Sequence, residues 1–360
     1  MGLLTLVAVP AMGRVRTDLR AIEFLSPGSS SRQALEAIDQ KMGGVNLFEL
    51  EVDCGAPGAI QEPENLAFQE RLEHFAADLE GVTNVYGYAQ IYAMLNQIWQ
   101  RDAEGSRHVP TSPTLIAAMG LLVHGQEFLF DESIYDSTRQ RTTLFVRTQD
   151  MPAARYLELV ESIREFGEEH APEGVLVQPR AGLHSVLESD RRIVTSQVSS
   201  LGLCILAVFL TLSVLWRSPR MALVALGVNL LPLTAVLALH GFGGVPLNSI
   251  TVMVGAVVLG IAVDDSIHLL SYWTAIRSKV PDAQLAMRMT LERKLVPMLC
   301  TTAVLVSGLS LLLFSSFPPV ADFGELSVVA LLVALGSTLL GAPAALWVVF
   351  HHLSRPRAVE

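Results

Sequence analysis

Residues 250–273 read as one apolar run with two adjacent aspartates, Asp264 and Asp265, set inside it. As a helix the run is long enough to cross a hydrocarbon core of about 30 Å. An ionised carboxylate at that depth costs several kcal/mol, so intramembrane acids are rare and usually functional. The alternative is a helix that stops at Asp264 and lets both acids reach interfacial water. Ile267, Leu269 and Leu270 carry the apolar character beyond the pair, and Tyr272 and Trp273 suit the aromatic belt of the far interface. An acid pair held inside a membrane points to a machine coupled to protons or ions.

Other runs follow the same logic, so spans are expected at residues 198–216, 221–240, 249–273, 296–314 and 326–350. Residues 2–12 are also apolar, but as a helix they reach only about 17 Å. With no basic segment before them and no cleavage site, they read as the outer part of a transmembrane helix whose beginning is absent. The loops carrying Arg217 and Arg220, then Arg277, Lys279, Arg288, Arg293 and Lys294, and the end carrying Arg355 and Arg357, all fall on one side. Loops 241–248 and 317–325 hold no Lys or Arg. The positive-inside rule makes the basic side cytoplasmic. The expected division is a truncated first helix at 1–13, a periplasmic domain at 14–195, a five-span bundle at 196–352 and a cytoplasmic tail at 353–360. Within the second basic loop, residues 283–295 are amphipathic and read as a helix lying on the inner membrane face.

The domain at 14–195 alternates strand and helix patterns. Strands are expected at 45–52 (with a register shift), 82–86, 141–148 and 174–178. Pro63 suits a helix start, and Phe68, Leu72, Phe75 and Leu79 then form one apolar stripe. A helical insertion spans 88–100 and 112–124, and Tyr156, Val160 and Ile163 mark another amphipathic helix. Two β-α-β units separated by an insertion fit a split, ferredoxin-like α+β domain.

Composition narrows the function. The chain is 51% hydrophobic and 17% charged, too apolar for an ordinary soluble domain, and its net charge of -10 belongs to the region before the bundle. An acidic surface argues against nucleic acid as a partner. Cys54, Cys204 and Cys300 form no disulfide framework or metal set. Neither a phosphate-cradling glycine loop nor a nucleophile elbow occurs, so no enzyme activity and no cofactor beyond a proton gradient are expected.

The stretch Gly260-Ile261-Ala262-Val263-Asp264-Asp265-Ser266-Ile267-His268 resembles the fourth-span signature of the RND superfamily, in its exporter branch related to MMPL and Patched-like proteins. Val228-Asn229-Leu230-Leu231-Pro232, Gly244-Val245-Pro246-Leu247-Asn248, the run from Thr301 and Thr302 to Gly308, and Phe323-Gly324 leading to Pro343 are similar to that branch as well. The resemblance implies half of a proton-driven transporter: one span, a porter-like domain, then five spans, with the complete machine built from two such halves. It also implies location in a bacterial inner membrane. One departure concerns the relay. The branch often places an acid five residues before the last-span proline, where this chain has Thr338.

On a helix, Asp264 and His268 share a face, and His268 also lies three residues from Asp265. Two close carboxyls cannot both ionise cheaply, so at least one is expected to hold a proton. His268 is either a relay partner or an interfacial anchor. Thr301, Thr302 and Thr338 are either relay partners or satisfied by their own backbone. Ala256 and Gly260 form a small-residue face for helix packing. His351 and His352 read as part of a solvated cytoplasmic end. The expected function is proton-coupled export of a hydrophobic or lipid-like molecule. A lipid- or sterol-sensing scaffold, or a half that needs a partner chain, is the alternative. Expected partners are membrane lipids, the hydrophobic substrate, and a second six-span half or further copies of the chain.

Overall fold

The computed structural model describes residues 10–11, 14–15, 20–101, 107–124 and 133–353. Most of the expected stub at 2–12, and the tail from 354, lie outside them, as do the side chains of His351 and His352. The chain divides into two compact units, residues 20–189 and residues 1–19 with 190–360.

In the first unit, α1 (Ser30–Lys41) precedes β1 (Asn46–Asp53), α2 (Pro63–Asp78) and β2 (Val82–Tyr86). The insertion α3 (Tyr88–Trp99) and α4 (Pro113–His124) follows, then β3 (Arg141–Thr148), α5 (Ala153–His170) and β4 (Leu176–Pro179). The sheet order is β2-β3-β1-β4, antiparallel throughout. Phe48, Leu50 and Val52 alternate inward on β1 and join Phe68 and Leu72 of α2 and Tyr156, Val160 and Ile163 of α5 in one core. The Phe48 and Tyr156 rings meet edge to face at 5.3 Å. The expected register shift in the first strand is absent. Asn46 is buried in phase with Phe48, its amide donating to the Gln149 carbonyl at 3.2 Å, so β1 pairs with β3 without a break. The irregularity lies instead between Val82 and Asn84 of β2. Gly44 opens β1 at φ +128°, and a Cβ there would collide with the Thr148 carbonyl.

The second unit is helical: α6 (Leu183–Trp216), whose first turns belong to the first unit, then α7 (Pro219–Phe242), α8 (Met253–Arg277), α9 (Ala283–Ser310), α10 (Pro318–Gly336) and α11 (Ala342–Leu353). A π-helical stretch, Ser337–Gly341, joins the last two. Among the described residues, five helices are long and apolar enough to cross a membrane, the last running Pro318–Val348 through the π stretch. The chain is thus a multi-pass helical membrane protein. At 34 residues α6 is roughly 51 Å long, so it extends well past a core of about 30 Å. Buried Val228, Leu269, Leu270, Trp273 and Leu346 fill one end of the bundle, and Val254, Val258, Leu326 and Ala330 fill another cluster.

Two expectations about the spans need correction. The third span begins at Met253 rather than at 249, because the residues before it are held as a turn. The Asn248 carboxamide oxygen accepts from the amides of Ile250 (3.0 Å) and Thr251 (2.9 Å), while Thr251 Oγ1 accepts from Asn248 N and donates to the Pro246 carbonyl. The segment at 283–295 is not a separate surface helix. It is continuous with the following span through Pro297, Asp282 capping its start by accepting from the Gln284 and Leu285 amides.

Candidate functional site

Asp265 is the central residue of the 25-residue helix α8, twelve positions from Met253 and twelve from Arg277. A helix ending at Asp264 is therefore not what the chain forms, and the run continues for three more turns beyond the acids. No β-branched cluster or proline interrupts it there, and Leu269, Leu270 and Trp273 anchor its second half in the bundle core.

The helix presents two polar stripes. On the inward side, Ser266 is fully buried and donates to Asn229 Oδ1 of α7 at 2.6 Å. Asn229 lies three residues before Pro232, whose ring removes the backbone bond to the Val228 carbonyl and loosens α7 at this level. On the outward side, Ala256, Gly260, Asp264 and His268 succeed one another at four-residue steps and all are exposed on the isolated chain. The Asp264 and His268 side chains are 71% and 62% exposed, with His268 Nε2 3.6 Å from Asp264 Oδ1. Asp265, one position round the helix, is half-buried.

The expected partners divide. His268 stands beside Asp264 as the spacing predicts. Thr301 Oγ1 donates to the Met298 carbonyl of its own helix at 3.0 Å, so it is satisfied locally. Thr302 is buried in the bundle. The Thr338 hydroxyl is buried in the π stretch with no hydrogen-bond partner among the described residues. No hydrogen bond among the described residues joins Thr301, Thr302 or Thr338 to either carboxyl. Among the described residues, no other helix packs against Ala256 or Gly260; space is open around Gly260, and it is Gly255 that faces inward, towards Leu201 and Leu233.

The Asn229–Ser266 bond and the π stretch were not anticipated. Asn229 is the one amide within its span, which is a usable signal for a buried polar partner. The π stretch has no comparable mark, although such turns gather at functional positions.

A different acid lies in the first unit. Glu73 of α2 is buried, and its carboxylate accepts from the backbone of Ala89 at 2.9 Å and of Gln90, at the start of α3. Burial pushes its pKa up to about 8, against the pull of those two amides. A cavity of about 260 Å³ adjoins it, lined also by Glu70, His74, Gln90 and Arg107. Gly87 is required there because a Cβ would collide with the Glu73 carboxylate. Glu73 therefore caps a helix and is committed to the fold.

No family model matches the sequence, and no curated protein matches it.

Proposed function

We propose that this chain is one half of a proton-coupled exporter of a hydrophobic or lipid-like molecule, of the RND type that its α8 stretch resembles. The observation that carries the reading is the acid pair at the midpoint of an apolar helix. A carboxyl there is best accommodated if it exchanges protons, because neutralisation removes most of the cost of its depth. His268, 3.6 Å from Asp264, is the residue placed to share or pass the proton.

The outward direction of Asp264 and His268 supports a second half. Lipid covers exposed leucines and valines at no cost, but not an acid and an imidazole. The line Ala256–Gly260–Asp264–His268 has small residues where a neighbouring helix would approach, so a second six-span half or another copy of the chain covers it. In this reading the β2-β3-β1-β4 sheet with α2 and α5 is a ferredoxin-like porter domain on the periplasmic side of an inner membrane. The basic ends of α8 and α9 face the cytoplasm.

The test uses vesicles holding the purified assembly and an imposed proton gradient, with export of a hydrophobic fluorescent dye as readout. Asp264→Asn and Asp265→Asn are each expected to abolish gradient-driven export. Unaltered export in both variants overturns the proton-relay reading. If collapsing the gradient leaves ligand binding and every downstream effect unchanged, the protein is a lipid sensor instead. A stable monomer that exports on its own removes the second half.

A further inference from the structure

A groove of about 890 Å³ lies at the end of the bundle where α8 finishes and α9 begins, with α11 closing it. Its volume falls within the range of sites that hold a single small ligand. Its lining is divided. Trp273, Leu291, Leu295, Leu346 and Trp347 make an apolar floor, and Arg277 and Arg288 stand at the rim with Asp282 and Glu292. The two acids are already engaged: Asp282 caps α9, and Glu292 accepts from Arg288 at 3.0 Å. Arg277 is different. It donates to the Val280 carbonyl at 3.1 Å, and no carboxylate among the described residues pairs with it. A half-buried guanidinium beside a deep apolar floor retains donors for a planar or tetrahedral oxyanion.

The groove also sits at a defined depth. Counting on from α9, the span runs Ala283–Phe314, 32 residues or roughly 48 Å, which exceeds a core of about 30 Å. Its first turns therefore stand at headgroup level. Lys294 over the Tyr272 ring at 5.2 Å is the contact expected of side chains at that boundary. Between residues 277 and 295 the sequence has five basic and two acidic side chains, a balance that attracts anionic lipid.

We infer that this groove holds one anionic phospholipid, its phosphate on Arg277 and an acyl chain along Trp273, Leu346 and Trp347. The site needs only that the bundle lies in a bilayer. It does not depend on the acid pair or on export, so the two proposals fail separately.

The probe is phosphatidylglycerol brominated on its acyl chains, compared with brominated phosphatidylcholine. The full chain is reconstituted in bilayers of varied lipid ratio after Trp99→Phe and Trp216→Phe, leaving Trp273 and Trp347 to report quenching. Phosphatidylglycerol is expected to quench at about fivefold lower mole fraction, the factor given by ~1 kcal/mol per basic side chain. Arg277→Gln is expected to erase that preference, Arg277→Lys to retain it, and Arg220→Gln, in another basic loop, to leave it unchanged. Equal quenching by the two lipids, or a preference that survives Arg277→Gln, overturns the site. Relief of quenching by excess inorganic phosphate also overturns it, because the occupant would then be the free anion.

Discussion

Glu73 in the α+β unit and Asp264 in the bundle are both carboxyls set among apolar neighbours, but their partners come from different places. Glu73 is enclosed, and the backbone of α3 supplies its donors. Among the described residues, Asp264 pairs with His268 of its own helix and is otherwise largely exposed. An acid whose partners are all internal stabilises a fold and has no reason to move. An acid whose polar side is left uncovered by its own chain needs another molecule, a proton or both. Under the proposed function, the pair separates a structural carboxyl from a working one without reference to exposure alone.

That contrast breaks most visibly in transport. Asp265→Asn is expected to abolish gradient-driven export, whereas Glu73→Gln is expected to leave it measurable in the same vesicles. Loss of export in Glu73→Gln with the unit still folded would place Glu73 in the mechanism. Next in size, Glu73→Ala leaves the start of α3 without its acceptor and is expected to cost about 1–3 kcal/mol, read by thermal unfolding and by faster amide exchange at Ala89. The same residue gives the fold a pH dependence. Its carboxyl is protonated up to about pH 8 in the folded chain but ionises near 4.5 when unfolded, so its stabilisation is full below about pH 4.5. Stability is expected to fall as pH rises from there to about 8 and then level off, and Glu73→Gln is expected to flatten that slope. In the bundle, Ser266→Ala removes the bond to Asn229 and is expected to cost about 0.6 kcal/mol, the average for hydrogen bonds between membrane helices. Unfolding in mixed detergent micelles measures it. The smallest effect belongs to Arg164, paired on the surface of α5 with Glu161 and Glu168. Arg164→Gln is expected to change stability by less than about 0.5 kcal/mol, with any effect fading as salt is raised.

The strands of the first unit were legible because alternation leaves a clear mark: β2 and β3 run at the expected residues. In β1 a register shift was expected because buried Asn46 does not look like a core residue, and the strand in fact pairs without one. The continuation of α8 past Asp265 was legible too, since the apolar residues after the acids already required it. What one sequence could not convey is which side of a helix its own chain covers. Ala256 and Gly260 have the spacing of a packing face, and they lie on the side that the described residues leave uncovered. The Asn229–Ser266 bond joins residues 37 apart, and only the folded bundle brings them together.

The π stretch at Ser337–Gly341 has a geometric effect on everything after it. A wide turn takes in one residue more than an α-helical turn, so the residues that follow are swung by about 100° relative to an unbroken helix. Leu346 and Trp347 reach the groove from that swung position. Removing the single residue Thr338 would close the wide turn and leave both side chains aimed as they are, whereas straightening the turn at unchanged length would aim them elsewhere, emptying the floor of the groove without touching any residue that lines it.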